Sequence, residues 1–223
     1  EEFVNSFDQG YQIPPNTAFA VYADGAPSPF HTDGTHFLRI GVQGYESSEE
    51  VRPSANLVFV IDVSGSMAQE NRLELVKQSL EILVDRMRAD DTIAIVVYGS
   101  DARVVLPPTN GSDQRTIMRA INSLETEGST NLEAGLLLGY QMANQAYKFD
   151  GINRVILASD GVANVGNTSA DGIAAQIRGY ADAGIQLTTI GFGLGNYNDV
   201  MMEQLADQGD GNYGYIDTLE EAE

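Results

Sequence analysis

Cysteine is absent from the 223 residues, basic side chains number only 12, and no long apolar run occurs. Each shortage narrows what the chain can do. Without cysteine there is no disulfide framework, no thiolate metal site and no cysteine nucleophile. No run approaches the roughly 20 apolar residues that cross a bilayer, so direct membrane insertion is not expected of this segment. The chain opens at Glu1 with neither a methionine nor a signal-like stretch. It reads as an excised fragment whose targeting signals, if any, lie outside it, and the compartment stays open. Against the 12 basic residues, only two of them lysines (Lys77 and Lys148), stand 32 acidic ones, for a formal net charge of −20. A field of that sign repels phosphate backbones. Nucleic-acid and anionic-membrane partners are therefore not expected, whereas divalent cations and basic surfaces would be attracted. Acidity of this kind also serves solubility or a salty habitat.

The remaining composition is that of a soluble globular protein, 43% hydrophobic and 20% charged. From residue 55 onward, short apolar runs alternate with longer amphipathic ones, the pattern of β-α-β units around a largely parallel sheet. Residues 57–61 (LVFVI) are apolar throughout, as a strand covered on both faces requires. Leu73, Val76, Leu80, Leu83, Val84 and Met87 then recur at helical spacing, and residues 93–97 form a second buried run. Residues 102–106 fit an antiparallel edge strand, after which Pro107-Pro108 and Asn110-Gly111 mark a loop. Helices over about 113–124 and from about 131, a strand at 155–158, a helix at 170–183, a strand at 185–190, a helix at 200–206 and a strand at 213–216 complete the alternation. The expected fold is α/β: a doubly wound, mostly parallel sheet with one antiparallel edge strand and helices on both faces.

Residues 1–53 follow a different rule. Pro14-Pro15, Pro27 and Pro29 punctuate them, and the alternating stretches 17–22 and 36–42 predict antiparallel strands, with an acidic linker over 45–53. The chain thus divides into a β-rich extension at 1–53 and a main domain at 54–223.

The chemistry is concentrated where predicted strands end. Asp62-Val63-Ser64-Gly65-Ser66 follows the first buried strand and leads into an amphipathic helix. In open α/β sheets, ligands bind beyond the carboxyl ends of strands, where neighbouring connections diverge to opposite faces. Gly128-Ser129-Thr130-Asn131 before a helix and Ser159-Asp160-Gly161 after the 155–158 strand belong to the same end. Asp62, Ser64, Ser66, Thr130 and Asp160 offer oxygen donors only. Hard oxygen ligands without histidine or cysteine select Mg²⁺, Mn²⁺ or Ca²⁺ over zinc and copper. An octahedral Mg²⁺ takes about six ligands, so five side chains leave a position for solvent or for a partner's carboxylate. Asp, Ser and Gly are also the ordinary residues of a strand-to-helix turn and cap, which is the competing explanation of the first loop alone.

These residues resemble the metal-ion-dependent adhesion site of von Willebrand factor type A domains, with all five motif positions filled. The likeness extends over residues 55–217. In the extension, Glu2-Phe3-Val4-Asn5-Ser6-Phe7 and the stretch from Phe37 to Gly44 are similar to the segment preceding this domain in a bacterial subgroup. The resemblance implies that Ser64, Ser66 and Thr130 are direct ligands, and that Asp62 and Asp160 coordinate directly or through water. It further implies a partner protein whose Asp or Glu fills the open position, and it favours the cell envelope or the exterior. Catalysis is not expected. The only histidines, His31 and His36, lie in the extension, and a serine nucleophile needs a base within reach. A metal-assisted hydrolase or phosphatase and a structural module with a vestigial site are the rival readings. Gly191-Phe192-Gly193-Leu194-Gly195 lacks a full dinucleotide fingerprint, and residues 207–212 lack the closing glutamate of a calcium loop, so both read as turns.

Overall fold

The computed structural model describes residues 9–31, 33–45, 52–161, 170–193 and 199–222. Backbone contacts divide the chain into two units, Glu1–Arg52 and Pro53–Glu223. The similarity noted at residues 2–7 and most of the predicted linker fall outside the described residues.

In the first unit, β1 (Phe19–Pro27) and β2 (His36–Gly44) pair antiparallel, Phe19 opposite Gly44 and Pro27 opposite His36. Strand β1 runs five residues past the predicted end at Tyr22, through Gly25 and Ala26, because every residue there has a partner on β2. Tyr11 stacks on Tyr22 with ring centroids 4.7 Å apart, and Arg39 pairs with Asp24 at 2.7 Å.

The second unit is built on a six-stranded sheet in the order β5-β4-β3-β6-β7-β8. Strands β3 (Ala55–Asp62), β4 (Thr92–Tyr98), β6 (Ile152–Ser159), β7 (Gln186–Phe192) and β8 (Tyr213–Ile216) are parallel, and β5 (Ala102–Asn110) joins β4 antiparallel at the edge. This is the mixed, doubly wound sheet that the alternation of runs predicts. The predicted loop at Pro107-Pro108 is a correction: β5 continues through both prolines to Asn110. Proline cannot donate to a ladder and is tolerated at an edge or bulge. Both conditions hold here, since β5 is the outermost strand and its register with β4 shifts between Ile93 and Val96.

Residues of β3 alternate between two cores. Phe59 and Ile61 face α1 (Arg72–Asp85) and α2 (Gln114–Asn122), packing with Val76, Leu80, Ile117 and Ile121. Val58 and Val60 face the other side, where α3 (Leu132–Gln145), α4 (Ala170–Asp182) and α5 (Asp199–Gln208) contribute Leu136, Ile177 and Met202. Burial on both faces is why β3 reads as an unbroken apolar run. The chain leaves β3 towards β4 on one side, while β6 docks on the other. Connections therefore diverge at the carboxyl end of β3, the place where open α/β sheets bind ligands.

Helix α3 lies unusually close to the sheet. A Cβ on Gly139 would come within 2.3 Å of Val60 Cγ2, and one on Gly135 within 2.8 Å of the Tyr98 ring. Only hydrogen fits at these two helix positions, and that close approach sets where the loop leading into α3 begins.

Candidate metal centre

Asp62 is the last residue of β3 and is fully buried, with Tyr98, the last residue of β4, paired beside it in register. Its two carboxylate oxygens have separate partners. Oδ1 accepts the Ser64 backbone N–H at 2.8 Å, and Oδ2 accepts the Ser159 hydroxyl at 3.0 Å and the Tyr98 hydroxyl at 3.3 Å. Ser64 is buried, Ser66 half-buried, and their hydroxyl oxygens lie 3.1 Å apart. The chain then makes a 3-10 turn over Gly65–Asn71, in which Glu70 and Asn71 adopt left-handed φ of 50° and 57°. No side chain caps α1. Ser64 and Ser66 are thus not spent on capping that helix, although Asp62 does brace the backbone of the turn.

Asp160 follows β6, the neighbour of β3, and is almost fully buried. Its Oδ2 accepts a hydrogen bond from Arg72 Nη1 at 2.8 Å, and the other guanidinium nitrogen, Nη2, reaches Glu70 at 3.1 Å. Thr130 is half-buried in the segment before α3. That segment is tied to the ends of both central strands: Glu127 N–H donates to the Val63 carbonyl at 2.5 Å, Asn131 N–H to the Gly99 carbonyl at 2.8 Å, and Ser129 N–H to Ser100 Oγ at 3.2 Å. Asp62, Ser64, Ser66 and Asp160 therefore gather at the ends of β3 and β6, and Thr130 sits on a loop strapped to the ends of β3 and β4.

Burial pushes the Asp62 carboxyl above its ordinary range; the Ser64 and Ser159 hydrogen bonds pull it part of the way back, and the nearby Asp160 charge raises it further. The Tyr98 hydroxyl is also pushed well up, by burial first and then by Asp62. A carboxyl with a raised native pKa favours folding fully below its unfolded pKa and loses that contribution as pH rises through the native value. At neutral pH, charged Asp62 therefore costs stability. Asp62→Asn keeps an acceptor for Ser64 N–H, and the Ser159 and Tyr98 hydroxyls can turn to accept from the new amide. In chelator at pH 7 the variant is expected to melt higher than wild type, by about 2–4 °C per kcal/mol relieved, with the gain vanishing near pH 4. An unchanged or lower melting temperature would contradict this account of Asp62.

Among the described residues no group of three or more His, Cys, Asp or Glu could hold a metal. The donor set is two carboxylates with hydroxyls, which suits a hard divalent ion and about neutralises it. Two supporting residues, Tyr98 and Arg72, have no place in the sequence reading. Strand register could have found Tyr98, since the last residue of β4 must lie beside that of β3; an isolated arginine in an acidic chain gives no comparable signal. The turn readings hold in part: Asp207 and Gln208 finish α5 and only 209–212 connect it to β8, while Gly191 and Phe192 finish β7 and residues 194–195 of the glycine-rich stretch are outside the described residues. No described helix is long and apolar enough to cross a membrane.

Residues 57–162 match the family profile of the von Willebrand factor type A domain. The "Uncharacterized protein YfbK" of Escherichia coli (strain K12) is 42% identical over 231 residues, covering 100% of this chain and 40% of that protein. With a second relative covered to 43%, the chain spans about two-fifths of these curated relatives. Among solved structures, a von Willebrand factor type A protein from Catenulispora acidiphila superposes with a TM-score of 0.65 at 17% identity, covering 97% of this chain and 49% of that one. Proximal thread matrix protein 1 from the mussel byssus, described with a zinc-occupied MIDAS motif, superposes with a TM-score of 0.59 at 22% identity over 74% of this chain and 42% of that one. At these identities the structural likenesses establish the fold.

Proposed function

The chain belongs to the von Willebrand factor type A family through its second unit, and from that premise we propose that it is a protein-binding domain whose bound divalent ion coordinates an acidic residue of its partner. Domains of this family commonly mediate protein interactions and often hold a metal through such a motif. In this chain Asp62, Ser64, Ser66, Thr130 and Asp160 would hold Mg²⁺, or Mn²⁺ or Ca²⁺ in its place. One observation carries the reading: buried carboxylates end two adjacent central strands, with two serine hydroxyls 3.1 Å apart on the loop that leaves the first. A buried charge is costly unless something compensates it, and for Asp62 the described partners are all neutral donors. A cation would supply the missing compensation. The bound ion polarises the ligand that completes its shell, and the protein's part is to hold the donors and shape the opening.

No catalytic step belongs to this reading. A hydrolase needs a general base positioned at the metal, and the residues gathered here are the ligands, Tyr98 with its raised pKa, and Arg72. Calorimetric titration with MgCl₂, MnCl₂ and CaCl₂ is the direct test. Saturable heat near one ion per chain, lost in Ser64→Ala/Ser66→Ala, is expected. Absence of heat with all three ions would leave a structural module with a vestigial site. Mg²⁺-dependent hydrolysis of p-nitrophenyl phosphate, abolished by the same double substitution, would replace binding with catalysis. Partner capture in Mg²⁺ but not in chelator, compared between wild type and Asp62→Ala, then identifies the protein that supplies the Asp or Glu.

A further inference from the structure

Arg72 opens α1 at the end where the helix dipole favours anions, so a guanidinium there stands against the local preference. It is held by contacts from three other segments. Nη1 donates to Asp160 Oδ2 at 2.8 Å, Nη2 to Glu70 at 3.1 Å, and the stem passes so close to the end of β7 that a Cβ on Gly193 would lie 2.3 Å from Nε. Gly193 has φ +106°, and its carbonyl accepts the Tyr215 hydroxyl of β8. The Arg72 side chain is 11% exposed and that of Asp160 1%, whereas Glu70 is 56% exposed and its charge is largely screened by solvent.

We infer that Arg72 is a charge-setting residue of the metal centre: by pairing with Asp160 it keeps a bound divalent ion net positive, weakening ion binding while selecting an anionic ligand for the open position. The inference rests on the metal reading proposed above. Two carboxylates alone would neutralise a divalent ion. With one of them shared with a buried guanidinium, the protein sets a single net negative charge against two positive ones. The Coulomb interaction falls off only inversely with distance in a medium of modest effective dielectric, so the repulsion between the ion and a guanidinium one carboxylate away is felt strongly. The residual positive charge then favours a partner's Asp or Glu over a neutral ligand.

Calorimetry with MnCl₂ on the full chain tests the assignment. Arg72→Gln is expected to bind Mn²⁺ about tenfold more tightly than wild type, whereas Arg72→Lys, which keeps the charge, stays within about twofold. A merely structural role for Arg72 predicts the opposite, weaker binding in Arg72→Gln, and equal or weaker binding overturns the inference. Exposed carboxylates give a second comparison that does not depend on the fold of that variant. Glu70→Gln releases a partner of Arg72, while Glu74→Gln, on the same helix, removes a charge that pairs with Lys77 at 3.8 Å. Glu70→Gln should weaken Mn²⁺ binding at least about threefold more than Glu74→Gln, and equal effects overturn the role of Arg72. Silence of wild type and every variant towards Mn²⁺ defeats the metal reading itself, whereas a saturable wild type with indifferent variants defeats only the inference.

Discussion

Asp160→Ala is expected to abolish saturable Mg²⁺ binding and at the same time to lower the stability of the protein in chelator. The two effects come from the same side chain through different interactions. Asp160 is the buried anion facing the Arg72 guanidinium at 2.8 Å, with side-chain exposures of 1% and 11%. Removing one member of a buried pair leaves the other uncompensated, at a cost of about 3–5 kcal/mol. Glu70 still holds the second guanidinium nitrogen at 3.1 Å, which places the expected loss at about 3 kcal/mol, the lower end. Metal binding fails for a separate reason, because one of the two charges that retain the ion is gone. Asp160→Asn separates the contributions: it keeps the shape and an acceptor for Arg72, so it should recover part of the melting temperature without recovering Mg²⁺ heat. Calorimetric titration and thermal melts in EDTA measure the two quantities independently. Intact Mg²⁺ binding in Asp160→Ala would remove Asp160 from the ligand set.

Gly139→Val is expected to disturb folding strongly without touching a candidate ligand. The first added carbon alone would lie 2.3 Å from Val60 Cγ2, and Val60 is fully buried in the central strand. Neither side can yield, since Val60 is also packed against the opposite elements of its core. Overpacking of this kind costs about 1–3 kcal/mol or more, while the better helix propensity of valine returns only a few tenths. A fall of about 5–10 °C in melting temperature is expected for a domain of this size. Helix α3 must lift, and with it the loop that carries Thr130, so Mg²⁺ affinity should fall in a variant that changes no ligand. Gly179→Ala is the matched control: it lies in α4, where an added Cβ meets nothing within 4 Å, and should gain up to about 1 kcal/mol. A Gly139→Val protein that melts like wild type would mean that α3 does not press on β3 as described.

The course of the main sheet was legible because its evidence is local. An apolar run such as residues 57–61 must be a strand covered twice, and periodic residues such as Leu73, Val76 and Leu80 must form one helix face. Strand β5 was read too short, since proline is a breaker in isolation and acceptable at an edge, and only the neighbouring strands decide which case applies. The candidate ligands were legible for a related reason. Asp62 ends one buried strand, Ser64 and Ser66 lie on the loop that leaves it, Asp160 follows a second buried strand, and the sheet order sets the two strands side by side.

By itself, then, the order of residues determined the alternation of strands and helices, the end of the sheet where chemistry could gather, and the oxygen-only character of the donors proposed for it. Tertiary structure alone decided that Tyr98 and Ser159 share one oxygen of Asp62, that Arg72 pairs with Asp160 across 88 positions of sequence, and that α3 presses on β3 through a bare glycine. The physical reason is range. Periodicity and chain-neighbour chemistry are written into consecutive residues, whereas the charge felt at a site is set by whatever side chains packing delivers to it, however far away in the chain they began.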